Sequence, residues 1–242
     1  MATPAVAGTS VNWVTVVASS ALVSAIVNVG WNALSRAMDR RRENIKEKQR
    51  VDHVKLEIVH QLEAFVRRCR NHSNDIHDGL HDYYSHHDDR FQRVGKIAFM
   101  FDPVPRWGEL SVCFVAPIKA MPSQFSDCNM WIRGMSEYSG LDDAYQFELE
   151  RMAVYGLKAL RTATTIKREI NATYDGGAEL EMAERDFTEF IQKRRQSFAK
   201  AAGSMTLIPE LEAMFEAETP TPKTQGHPIV ALPELWLQTA TN

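Results

Sequence analysis

The sequence predicts an all-α protein in which an N-terminal transmembrane helix continues into a long helical stalk and a cytoplasmic antiparallel helical bundle. Three observations predict it. No Asp, Glu, Lys or Arg occurs from Met1 to Ser35, in a chain of 242 residues that is 24% charged. A dense run of basic residues follows at once. Beyond it, apolar residues recur at spacings of three and four, the period of one helix face.

The first element is Val11 to Leu34, VNWVTVVASSALVSAIVNVGWNAL. At 1.5 Å per residue it spans about 36 Å, enough for a hydrocarbon core of about 30 Å with some tilt. Trp13 and Trp31 lie near its ends, where indole rings prefer the lipid–water boundary. Arg36, Arg40, Arg41, Arg42, Lys46, Lys48 and Arg50 follow it, against the acids Asp39, Glu43 and Glu47. By the positive-inside rule this asymmetry puts residues 1–10 outside as a short tip and the body in the cytoplasm, held to the inner membrane by a single pass. A cleaved signal peptide would carry its charge on the other side and have a shorter apolar core.

One stripe of the predicted span is polar. Asn12, Ser20, Ser24, Asn28 and Asn32 recur at multiples of four, so they share a face on which small and hydrogen-bonding groups let helices associate. A homo-oligomeric seam is the expectation; a narrow polar pore lined by the same stripe is the alternative. Residues 35–50 read as a basic helical stalk whose Arg36, Arg40, Arg41 and Arg42 can hold anionic lipid headgroups.

The cytoplasmic helical domain is expected over residues 51–218. Val51, Val54, Ile58, Leu62, Phe65 and Cys69 form a continuous stripe that marks an amphipathic helix, with Gly79 or the stretch from Asn71 to Asn74 as the expected break. Between Phe91 and Pro122, KIAFMF and LSVCFVAP read as short strands or buried helical pieces, and Pro103, Pro105, Pro117 and Pro122 are expected to limit any helix to short runs. Cys113 to Met121 and Ser123 to Tyr138 are expected to be helical. After Ser139-Gly140, Leu149, Met152, Gly156, Ala159, Ala163, Ile166 and Ile170 keep a coiled-coil spacing whose small residues admit a close neighbour. Glycine at Gly176 or Gly177 is expected to cap that helix. Ala183, Phe187, Phe190 or Ile191, and Phe198 mark a further helix ending near Ala202 and Gly203, and Leu211, Met214 and Phe215 a shorter one. Residues 219–242 read as a proline-containing linker and an apolar tail in which Leu232, Leu235 and Trp236 dock on the body or on a partner.

Charge and cysteine content restrict function. A net charge of −3 gives no general attraction to nucleic acid. Cys69, Cys113 and Cys128 show no C-x-x-C spacing and read as reduced thiols. The stretch NHSNDIHDGLHDYYSHHDD mixes imidazoles and carboxylates, the ligand set of zinc, manganese or iron. On a helix His77 and His81 share one face and Asp78 and Asp82 another, which offers a two-ligand divalent-metal site. Glu57-x-x-His60 has the spacing of helical di-iron proteins, with Asp78-x-x-His81 as the nearest second copy. His77-Asp78 also resembles the His-Asp pair of the HD phosphohydrolases, with His53 or His60 upstream and Asp142 or Asp143 downstream. A solvated, pH-responsive helix face is the competing reading. No catalytic or cofactor-binding residue stands out, and no cofactor beyond such a metal is expected.

Ile118 to Met121 with Pro122 precede a helix ending near Trp131 to Arg133, and FELERMAVYGLKALRTAT runs from Phe147 to Thr164. In these segments and in layout the chain resembles a widespread set of uncharacterised bacterial proteins with one N-terminal transmembrane helix, a charged stalk and a helical hairpin body. The resemblance covers Val11 to Asn171. It implies an all-helical fold and brings no assigned activity.

The reading is therefore a membrane-tethered cytoplasmic interaction or scaffold protein, self-associating and binding a cytoplasmic protein partner. A membrane-anchored metal-dependent hydrolase using His72 to Asp89 and an oligomeric pore or membrane-perturbing protein are the alternatives.

Overall fold

The computed structural model describes residues 13–86, 96–138, 141–172, 176–201 and 205–218. Side chains of the first helix are described from Asn28 onward, except those of Val29, Gly30 and Ala33. Every regular element is helical: α1 Trp13–His86, α2 Val112–Ser136, α3 Leu141–Glu169, α4 Ala178–Lys200 and α5 Pro209–Glu218, with a 3₁₀ turn at Trp107–Glu109. None of the described residues lies in a strand.

α1 is a single helix of 74 residues, about 110 Å long. Its side chains from Leu34 to Arg50 are all exposed. From Val54 it becomes a core helix: Ile58, Val59, Leu62, Phe65, Val66, Cys69 and Ile76 are buried. The expected break near Gly79 or Asn71 to Asn74 does not occur. A mid-helix glycine costs only about 1 kcal/mol relative to alanine, and tertiary contacts hold both sides of it: Ile76 is buried and the Tyr84 hydroxyl bonds the Asp142 carboxylate of α3.

α3 is the central helix and touches α1, α2, α4 and α5. It runs antiparallel to α1, as three ties show: Lys55 to Glu169 (2.7 Å), Glu63 to Lys167 (2.5 Å) and His72 to Glu148 (3.1 Å). It is antiparallel to α2 as well, where Lys158 donates to Gln124 (2.7 Å) and Trp131 meets Phe147 edge-on with ring centroids 5.3 Å apart. α4 packs antiparallel on the next side, with Phe187 over Gly156.

α3 stops at Glu169, earlier than the glycine pair suggests. The cap is Asn171, at φ 51°, with the Ala172 N–H bonded to the Lys167 carbonyl (3.0 Å) and the Asn171 N–H to that of Arg168 (3.3 Å). That is a Schellman termination in which asparagine takes the left-handed position. Gly177, at φ 80°, instead precedes the first turn of α4. Ile170 thus lies just beyond the helix whose seam it was expected to join.

The prolines also behave differently from expectation. α2 runs through both Pro117 and Pro122. Each removes one helical N–H bond, but Ile118, Met121, Phe125, Cys128 and Ile132 are buried along one side, and that burial outweighs the local loss. Ahead of α2, Lys96 to Arg106 has no regular structure; Phe99 stacks on Phe65 at 3.9 Å between centroids. Gln61 fastens this segment by donating to the Pro103 carbonyl (2.9 Å) and accepting from the Asp102 N–H (2.8 Å).

Among the described residues no helix is long and apolar enough to cross a membrane. The side chains of Val11 to Val27, on which the expected span mainly rests, lie outside the described residues, as do Ser139-Gly140, Ala202 to Ser204 and the whole of 219–242, including Leu232, Leu235 and Trp236.

Candidate functional site

α3 is buried on nearly every side between Phe147 and Leu157, so the charges of Glu148, Glu150 and Arg151 must be paired inside the bundle. Two networks do this. In the first, Arg151 (2% exposed) bonds Glu148 and donates to the Phe125 carbonyl (3.0 Å), while its guanidinium lies 4.0 Å from the Phe125 ring centroid. His72, 5% exposed, meets the same Glu148 from α1 at 3.1 Å. Burial pushes the Glu148 carboxyl up, but hydrogen bonds from His72 and Arg151 and the Arg151 charge outweigh it and hold it below the usual carboxylate range.

In the second network Glu150, fully buried, accepts from Arg194 of α4 and from the Ile208 N–H (3.0 Å) just before α5. Burial raises its carboxyl in spite of the Arg194 charge. Tyr155 donates to Glu210 at 2.7 Å, so α5 is strapped to the bundle by two polar contacts as well as by Leu211 and Phe215.

A groove of about 740 Å³ opens between α1, α2 and α3 at the stalk-proximal end of the bundle. Phe114, Ile118 and Ile166 give it an apolar, largely buried lining, and Lys55, Arg161 and Glu169 line it as well. Its volume falls within the range of ligand pockets. Thr162 and Thr165 line it and donate to carbonyls of their own helix; Ser111 and Cys113 line it as well.

The histidine-rich stretch is dispersed along α1, which runs unbroken from His72 to His86. His77, Asp78 and His81 are exposed, Asp82 is half-buried, and His86 approaches Asp82 at 3.8 Å. Among the described residues no group of three or more ligating side chains is assembled. His53 and His60 stand on the same helix about 36 and 26 Å from His77, and Glu57-x-x-His60 lies about 31 Å from Asp78-x-x-His81. Asp142 does reach this end of α1, where Tyr84 takes it. His87, Asp88 and Asp89 lie outside the described residues. His72, grouped with these histidines by sequence, is instead part of the core.

Of the expected association stripe, Asn28 and Asn32 are exposed, and the side chains of Ser20 and Ser24 are outside the described residues. Arg36, Arg40, Arg41 and Arg42 are exposed along the bare part of α1. The buried charges Glu63, Glu150 and Arg151 and the half-buried Glu148 were passed over by sequence reasoning, although charged letters among the apolar ones from Phe147 to Leu157 were the available signal for the three on α3.

Fold and site together define a helical bundle built on one arm of its own longest helix, with an apolar core that encloses a few paired polar side chains. The chain matches no protein-family model, no curated protein and no solved structure.

Proposed function

We propose that the protein is a membrane-tethered helical interaction protein: Val11 to Leu34 anchors it, the basic stalk meets anionic headgroups through Arg36, Arg40, Arg41 and Arg42, and the bundle is presented to a cytoplasmic partner. The observation that carries this reading is the unbroken course of α1. The same helix that supplies Ile58, Leu62 and Phe65 to the core extends about 24 Å of exposed, charged helix from Arg50 back to Leu34, directly beside the uncharged N-terminal segment. A protruding arm of that kind serves to hold a body at a distance from what the arm is rooted in. The apolar groove beside Lys55 and Arg161 and the tail containing Leu232, Leu235 and Trp236 are the surfaces offered for the partner.

Alkaline carbonate extraction of membranes tests the tether, and reaction of exposed Cys113 with an impermeant maleimide tests its sidedness. The expected result is a chain that stays in the pellet and reacts only after the membrane is opened. Release into the supernatant overturns the tether; labelling in sealed cells overturns the orientation. Loss of partner recovery on deleting Ile229 to Asn242 would assign the partner contact to the tail.

A further inference from the structure

The groove between α1, α2 and α3 is lined by the charged residues Lys55, Glu109, Arg161 and Glu169, and three of them are already committed. Lys55 holds Glu169 at 2.7 Å, and Glu109 is met by Arg50 of α1 at 3.2 Å. Arg161 is exposed, and its guanidinium has no ion pair among the described residues. Hydrogen-bonding capacity is as limited. The Thr162 and Thr165 hydroxyls donate to the Lys158 and Arg161 carbonyls, and the Lys55 ammonium lies over the Phe114 ring at 4.8 Å from its centroid, covering that face. Arg161 and Glu169 stand about 12 Å apart along α3 with Ile166 between them, so the uncompensated cation and the closed ion pair are separated by apolar lining.

We propose that the groove binds a small amphipathic anion, an aliphatic chain carrying one carboxylate or phosphate, with its head on Arg161 and its chain along Phe114, Ile118 and Ile166. A volume of about 740 Å³ is that of a small-ligand pocket. One free cation in an otherwise compensated lining selects a ligand with one anionic group. A sugar or a nucleoside needs more hydrogen-bond partners than the lining leaves open, and polar groups buried without partners oppose binding. A flat aromatic ligand would need the Phe114 face that Lys55 occupies. An aliphatic chain needs only apolar contact, which Phe114, Ile118 and Ile166 supply. The assignment does not rest on the tether, and it gives the groove a small ligand in place of the protein partner considered above.

The test uses the full-length protein in nanodiscs of neutral lipid and follows the alkylation rate of Cys113, because that exposed thiol lines the groove while Cys69 and Cys128 are buried. Hexanoate, octanoate, decanoate, decyl phosphate and decanol are compared at matched free concentrations. The half-protecting concentration is expected to fall about two- to fourfold with each methylene along the carboxylate series. Decanoate and decyl phosphate are expected to protect at roughly tenfold lower concentration than decanol, and the better of the two identifies the head group. Arg161→Gln is expected to erase that tenfold preference and to leave the decanol value unchanged. Thr165→Trp, which fills the groove from an exposed position, is expected to abolish protection by all of them. Equal protection by decanol and the anions, or a preference that survives Arg161→Gln, overturns the proposal. So does an alkylation rate that no ligand slows, which returns the groove to a protein partner. Carbonate extraction decides the tether separately, so either reading can fail without the other.

Discussion

Gly156 of α3 lies directly under the ring of Phe187 of α4; a Cβ built on that glycine would stand 2.5 Å from the ring's Cε2 atom. Phe187 is 3% exposed, so its ring is held inside the core. Gly156→Ala adds helix propensity of about 1 kcal/mol, but overpacking of a filled core costs about 1–3 kcal/mol. A lower melting temperature is expected, with recovery in the double variant that also carries Phe187→Leu. If Gly156→Ala alone melts higher than the parent, the two helices are not in this contact.

Glu150 binds both Arg194 and the Ile208 N–H without reaching solvent. Glu150→Ala leaves a charge and an amide unpaired and should cost about 3–5 kcal/mol. Glu150→Gln, which keeps an acceptor for the amide, should cost less. Denaturant midpoints of the two variants measure the difference, and equal midpoints would show that the Ile208 contact contributes nothing.

Glu148 sets one acid limit. Its folded carboxyl is held below the ordinary value, so the unfolded chain binds the extra proton and the group stabilises the fold at pH above about 4.3. That contribution disappears as pH falls through the folded value. Urea midpoints of the parent should therefore decline below about pH 4.3 more steeply than those of Glu148→Gln. Parallel declines would mean that other carboxylates govern acid unfolding.

The Gln61 side chain makes two hydrogen bonds to the Asp102–Pro103 backbone. Removing them with Gln61→Ala should cost about 1–2 kcal/mol and speed exchange of the Asp102 amide while leaving amides near Ile166 unchanged. Unaltered exchange at Asp102 would mean that Phe99 stacking alone holds the segment.

His77 and His81 face solvent on α1 with no third ligand gathered among the described residues. Chelator treatment should leave the melting temperature unchanged, and elemental analysis should give the same metal content for the parent and for His77→Ala/His81→Ala. A stoichiometric metal lost in the double variant would turn attention to phosphoester hydrolysis.

The sequence was most legible where burial is periodic. The seam Leu149, Met152, Ala159, Ala163 and Ile166 is buried as its spacing predicts, and Gly156 meets a close neighbour as a small seam residue should. Local rules failed where distant packing overrode them. Pro117 and Pro122 look like helix breakers until Phe125 and Cys128 are seen buried beyond them. The glycine pair drew the cap away from Asn171, because asparagine's tolerance of positive φ is a weaker sequence signal than glycine's. His72 could not be separated from its exposed neighbours, since Glu148 approaches it from 76 residues away.

The continuity of α1 has a mechanical consequence. No loop and no glycine interrupts α1 between Trp31 and Phe65. Torque or tilt applied near Trp31 therefore travels along one continuous helix to Ile58, Leu62 and Phe65, and through them to the helices packed on them.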